Sequence, residues 1–139
     1  KKKKEKMVKN EIIVFKEKNI RRIWHEDRWF FSVINIAGAL TDSDNPGNYW
    51  SMLKQREKES MGIELSTFCV QLKLLAEDGK LRETDCADTE AIFRIIQSIP
   101  SKKAEPFKRW LARVGYERIQ EMLDEIKYIE VKFRGVKNG

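Results

Sequence analysis

Glu105, Arg109 and Arg113 are spaced four apart, so they line one side of a helix if the surrounding segment is helical, and Lys102 and Lys103 stand just before it. Guanidinium and ammonium groups in a stripe of this kind can hold phosphate oxygens through charge-assisted hydrogen bonds. Arg94 and Gln97, slightly upstream, are residue types that reach base edges. Arg21, Arg22 and Arg28 form a second cationic set near the start of the chain, with Glu26 and Asp27 close by. A solvated hairpin edge accounts for that second set as well as a DNA contact does. For the first set the plainer alternative is a Glu105–Arg109 surface pair, worth about 0.3–0.5 kcal/mol.

Catalytic chemistry has less to stand on. His25 is the only histidine, and neither cysteine is near it in sequence. The chain has no phosphate-cradling glycine loop, no metal-ligand spacing and no nucleophile elbow. Asp78, Asp85, Asp88 and Glu90 could be imagined as a metal-dependent nuclease site. Asp78 is better explained by a turn, Asp88 by helix capping and Glu90 by the acidic first turn of a helix. The sequence therefore points away from an enzyme, and no catalytic residue, metal or cofactor is expected.

The cationic residues must be positioned by the stretch from Thr84 to Ile119. Ile92, Ile95, Ile96 and Ile99 recur at the spacing of a buried helix face, with Asp88 or Thr89 as the N-cap. Pro100 stops that helix. A second helix carries Phe107, Trp110, Leu111 and Val114 on its apolar side, away from Arg109 and Arg113. Trp110 and Tyr116 are read as core residues rather than stacking platforms. Gly115 is a natural residue to end the second helix, and a helical pattern resumes from Tyr116 to Ile126.

Upstream, Ile12–Phe15, Ile20–Trp24 and Trp29–Phe31 predict a small antiparallel meander, with a turn at His25-Glu26-Asp27. Ser32 caps a helix carrying Val33, Ile34, Ile36, Ala37 and Leu40. Residues 41–48 form the clearest loop, and a helix follows from Asn48 or Tyr49 to about Ser60 with Tyr49, Trp50 and Leu53 buried. On that helix Lys54, Arg56 and Lys58 alternate with Glu57 and Glu59, which reads as a solvated face. Residues 61–70 are ambiguous. Asp78-Gly79 between apolar runs predicts a second hairpin. Tyr128 to Phe133 alternates like a strand, and the last residues look frayed.

Of 139 residues, 41% are hydrophobic and 36% charged, the balance of a soluble globular protein. No apolar run is long enough to cross a bilayer or to serve as a signal peptide. Cys69 and Cys86 read as reduced intracellular thiols, which suggests a cytoplasmic protein. The net charge of +6 is unevenly placed. Residues 1–9 contribute +5 and residues 127–139 contribute +3, leaving −2 for residues 10–126. Any nucleic-acid contact by the body must come from local clustering. Lys1 to Lys6 read as a solvated tail, or as a basic arm on phosphates, with Met7 a candidate start.

The string IIQSIPS–KAEPFKRWLA–VGYERI resembles the Bro-N domain, the N-terminal module of viral BRO proteins and phage antirepressors. Within it, the chain resembles the bacterial branch that includes DNA-damage-inducible protein D. Phe15, Ile20-Arg21, Trp29-Phe30, Asn45-Pro46, Tyr49-Trp50 and Leu53-Lys54 extend the resemblance over roughly Glu11 to Ile119. Glu57 stands where relatives would carry an apolar residue, and Cys86 where they more often carry valine. The resemblance implies a DNA-binding regulatory module, linked to prophage control or the DNA-damage response. Its alternative is a protein-interaction module that engages a repressor or recombination protein. The expected architecture is one compact α+β domain with small hairpins and about five helices. Residues 1–10 would be a tail, 11–126 the Bro-N-like domain, and 127–139 an extension.

Overall fold

Two turns shape the first part of the chain, and neither contains glycine. In the computed structural model, which describes residues 10–138, Lys16 and Glu17 have φ of 45° and 68°, and Glu26 and Asp27 have φ of 49° and 63°. Paired left-handed residues are what a two-residue hairpin turn needs to match the twist of its strands. They join β1 (Asn10–Phe15), β2 (Lys18–His25) and β3 (Arg28–Ser32) into the expected meander. Asn10, assigned to the tail from sequence, instead pairs with Ile23 as the first residue of β1. The remainder of that tail, residues 1–9 with Met7, lies outside the described residues.

The Asp78-Gly79 hairpin also forms, between β4 (Val70–Leu75) and β5 (Leu81–Asp88). Gly79 has φ of 83° and donates its N–H to the Ala76 carbonyl at 2.9 Å. β5 then docks against β3, giving a five-stranded sheet of order β1-β2-β3-β5-β4 in which every neighbour is antiparallel. Alternation along the strands puts Phe15, Ile20, Phe31 and Ala87 on one face, and Ile23, Phe30, Leu72, Leu74 and Cys86 on the other. The second set forms its own apolar cluster around Phe30, Leu74 and Cys86. Arg21 on β2 donates to the Leu75 carbonyl of β4 at 3.2 Å, although β3 and β5 lie between those strands in the sheet. The sheet is therefore strongly curled around that cluster.

Between β3 and β4 run α1 (Val33–Thr41), α2 (Pro46–Met61) and a short 3-10 helix (Leu65–Phe68), which occupies the ambiguous stretch. Ser32 caps α1 by accepting the Asn35 N–H at 3.3 Å. Asn45 caps α2, accepting the Asn48 N–H at 3.1 Å. With Pro46 in the first turn, α2 starts earlier than expected, because proline's missing N–H has no intrahelical partner there. After β5 come α3 (Thr89–Gln97) and α4 (Ala104–Asn138). Asp88 caps α3 by accepting the Ala91 N–H at 3.0 Å. Among the described residues, four α-helices and one 3-10 helix beside the antiparallel sheet make the α+β class, and no helix is long and apolar enough to cross a membrane.

The chain divides into two units, residues up to Phe107 and residues from Lys108 onward. In the first, Ile92, Ile95, Ile96 and Ile99 are buried together with Ile36, Trp50, Leu53 and Leu65. Phe107 meets Phe15 edge-on at 5.0 Å between ring centroids. The second unit is the rest of α4, and it corrects two expectations. The helix runs through Gly115 rather than ending there, and Tyr128–Phe133 is helical rather than a strand. An interior glycine costs only about 1 kcal/mol relative to alanine, which the good helix formers on either side offset. A strand of six residues needs a neighbouring edge for its backbone groups, whereas a helix satisfies them internally.

Candidate nucleic-acid interface

The expected cationic residues fall into three situations. The hairpin arginines are engaged within the protein. Arg21 Nε donates to Asn35 Oδ1 at 2.8 Å, and its terminal nitrogens reach the Leu75 carbonyl and Ser32 Oγ. Arg22 pairs with Glu11 at 3.1 Å and lies over Trp29, 3.8 Å from its ring centroid. Arg28 pairs with Asp88 at 2.8 Å. These interactions tie the meander to α1 and β5, so the set serves the fold first. Lys103 is engaged likewise, with Asp42, which also faces Lys18 at 3.6 Å.

The second situation is the C-terminal end of α3. Arg94 and Gln97, three apart, are both exposed, and Lys102 is exposed in the turn beyond. Arg94 rests over the Phe68 ring at 5.5 Å, which holds the guanidinium near the 3-10 helix. α2 adds a residue whose sequence context reads as a solvated face. Arg56 reaches across to donate to the Ser98 carbonyl at 2.9 Å, immediately after Gln97. The negative end of α3 attracts it there. Glu57, the departure from the family pattern, accepts the Ser98 hydroxyl at 2.9 Å. Nothing in the local sequence around Arg56 signals its bond to Ser98, because that partner is 42 residues away.

The third situation is α4 beyond residue 107, described by itself. Arg109 and Arg113 are exposed on it, one turn apart. Leu111 is buried, while Trp110 and Val114 are only partly so. Trp110 is thus less buried than its apolar spacing suggests, and the side chain of Tyr116 lies outside the described residues.

The position of Arg56 depends on how α2 is anchored, and one carboxylate does much of this. Asp85 Oδ2 accepts the indole N–H of Trp50 at 2.8 Å, and Oδ1 accepts from Gln71 at 3.1 Å. Lys54 stands 3.6 Å away. Burial pushes the Asp85 carboxyl up, but the bonds from Trp50 and Gln71 and the Lys54 charge outweigh it, holding the group below the usual carboxylate range. A carboxyl depressed in the folded state contributes stability that is full above its unfolded value, near 3.9, and lost as pH falls through the folded one. Asp85→Asn should therefore melt below the parent at neutral pH, with the gap closing as the pH falls below the unfolded value of about 3.9. Melting curves across that range check this, and a gap independent of pH would contradict it.

The acidic, thiol and imidazole groups considered for catalysis are accounted for separately. Asp78 pairs with Arg82, Asp85 holds Trp50 and Asp88 caps α3. Among the described residues no three His, Cys, Asp or Glu side chains gather to hold a metal ion. Cys69 and Cys86 are unpaired, and burial pushes both thiols up to about 12. They stay protonated near neutral pH and are poor nucleophiles. His25 packs against Phe30, 5.5 Å between ring centroids.

Comparison with known families gives a match to the BRO family, N-terminal domain, over residues 19–123. That span includes the first unit from β2 onward and the beginning of the second. No significant match is found among curated proteins or among solved structures.

Proposed function

Because the chain belongs to the BRO family N-terminal domain, we propose that it is a non-catalytic DNA-binding regulatory module. Its place would be in a phage antirepressor-like or DNA-damage-response protein, in the branch that includes DNA-damage-inducible protein D. The observation that supports the DNA reading is that Arg94, Gln97 and Lys102 are exposed along the end of α3 and the turn after it, where Arg56 also bonds to the Ser98 carbonyl. Its guanidinium and ammonium groups suit phosphate oxygens, and Gln97 is the type that reads a base edge. The branch assignment is supported by the IIQSIPS and KAEPFKRWLA strings, which fall on α3, the turn and the start of α4.

A second reading has its own support. The span 10–126 carries a net charge of −2, and α2 exposes Met52 and Met61. A surface with flexible apolar side chains and little net field suits a protein partner, such as a repressor or recombination protein. Salt separates the two readings. DNA affinity should fall with a log–log slope of about −0.9 per phosphate contact, because counterions are released, whereas a mainly apolar interface is far less sensitive. The experiment is a salt titration against single- and double-stranded DNA, on the full chain and on a version beginning at Met7. Steep dependence retained from Met7 supports the DNA reading. Binding that vanishes with Lys1–Lys6 assigns it to the lysine run, and no DNA binding at low salt favours the protein partner.

A further inference from the structure

The distal part of α4 shows an apolar stripe facing solvent. Ile126 and Ile129 are 52% and 53% exposed, and Leu123 beside them is 47% exposed. In sequence these positions belong to a longer series, Ile119, Met122, Ile126, Ile129, Phe133 and Val136, which alternates steps of three and four without a break. All six positions lie on the helical backbone of α4. This is the a and d pattern of a coiled-coil seam. Its later members fall beyond residue 123, where the family match ends. Helices of this length take most of their stability from packing an apolar face against something.

The charges flanking the seam select the occupant. In a parallel pair, Glu125 would lie beside the partner's Glu130, a like-charge contact. In an antiparallel pair with Ile126 packed on the partner's Ile129, Glu125 faces the partner's Lys132. Two-fold symmetry makes that opposite-charge contact twice. Within one chain Lys132 already lies over the Tyr128 ring at 5.2 Å, which holds its ammonium along this flank. We propose that the distal half of α4 docks on a second copy of this chain as an antiparallel two-helix coiled coil, with Ile126 and Ile129 as its central layers. The inference stands on this helix alone and is independent of what the first unit binds.

Sedimentation of the whole chain over about 1–100 µM tests it, a range that brackets free energies of association of about 5.5–8.2 kcal/mol. The parent mass should rise with concentration from 16.5 kDa toward twice that value. Ile126→Asp with Ile129→Asp should sediment as the monomer throughout. Glu125→Lys should raise the dimer dissociation constant about tenfold, through two like-charge contacts. Glu125→Lys with Lys132→Glu should bring it back, because the pair is only swapped. A parent that stays monomeric overturns the proposal, as does a dimer that survives both aspartates. A double charge swap as weak as Glu125→Lys alone overturns the antiparallel register.

Discussion

Trp50→Ala is expected to cost about 3–5 kcal/mol, the range for emptying a large buried aromatic site. Trp50 is 2% exposed, and its indole N–H is the nearest hydrogen-bond partner of Asp85 at 2.8 Å. The alanine variant therefore loses the packed ring and also strips a half-buried carboxylate of its best donor. Trp50→Phe separates the two effects. It keeps most of the ring and removes only the bond to a charged group, for which about 1.5–3 kcal/mol is typical. Chemical denaturation of the three proteins reads both effects. If Trp50→Phe is indistinguishable from the parent, the indole bond is not what fixes α2 on the sheet. Asp85 would then owe its depressed titration to Gln71 and Lys54.

Trp50 and Asp85 also mark where sequence stops being informative. Trp50 is legible as a buried residue, because Tyr49, Trp50 and Leu53 follow a helical spacing. Its partner is not, because the two are 35 residues apart and no local pattern couples them. The same contrast holds elsewhere. The isoleucines of α3, the caps at Ser32 and Asp88 and the turn at Asp78-Gly79 are each decided within a few residues. The turn at His25-Glu26-Asp27 is legible in the same way, but the first hairpin turn is harder: Lys16-Glu17 carries no turn-forming residue type, yet both residues adopt positive φ. Tertiary pairing of β1 with β2 imposes that geometry over local preference. Gly115 and Tyr128–Phe133 mislead for the opposite reason. Each is a short local signal inside a 35-residue helix whose other residues outweigh it. For the candidate interface, residue types can be chosen from sequence, but not which arginines are already engaged. Arg21, Arg22 and Arg28 have their partners on other strands and helices, and Arg56 gains its place only when α2 meets the end of α3.

Arg94→Glu combined with Lys102→Glu should leave the fold intact and weaken DNA binding about 10- to 100-fold at low salt, flattening the salt slope by about 0.9 for each phosphate no longer neutralised. Both residues are exposed, where substitutions usually change stability by about 0.5 kcal/mol or less. Arg56 is the more demanding position, since its guanidinium also binds the Ser98 carbonyl. Arg56→Glu should lower the melting temperature as well as the affinity, while Arg56→Lys keeps charge and loses the planar fork. Arg109→Glu with Arg113→Glu serves as the comparison, because those residues are exposed on α4 in the second unit. Melting curves and salt titrations on each variant decide among three outcomes. A loss confined to Arg94 and Lys102 puts DNA at the end of α3. A loss confined to Arg109 and Arg113 moves it to the long helix. Parent affinity and slope in both double variants would remove both cationic faces from the DNA reading. The engaged hairpin arginines would then be the remaining candidates, and Arg28→Glu would test them only after breaking the pair with Asp88.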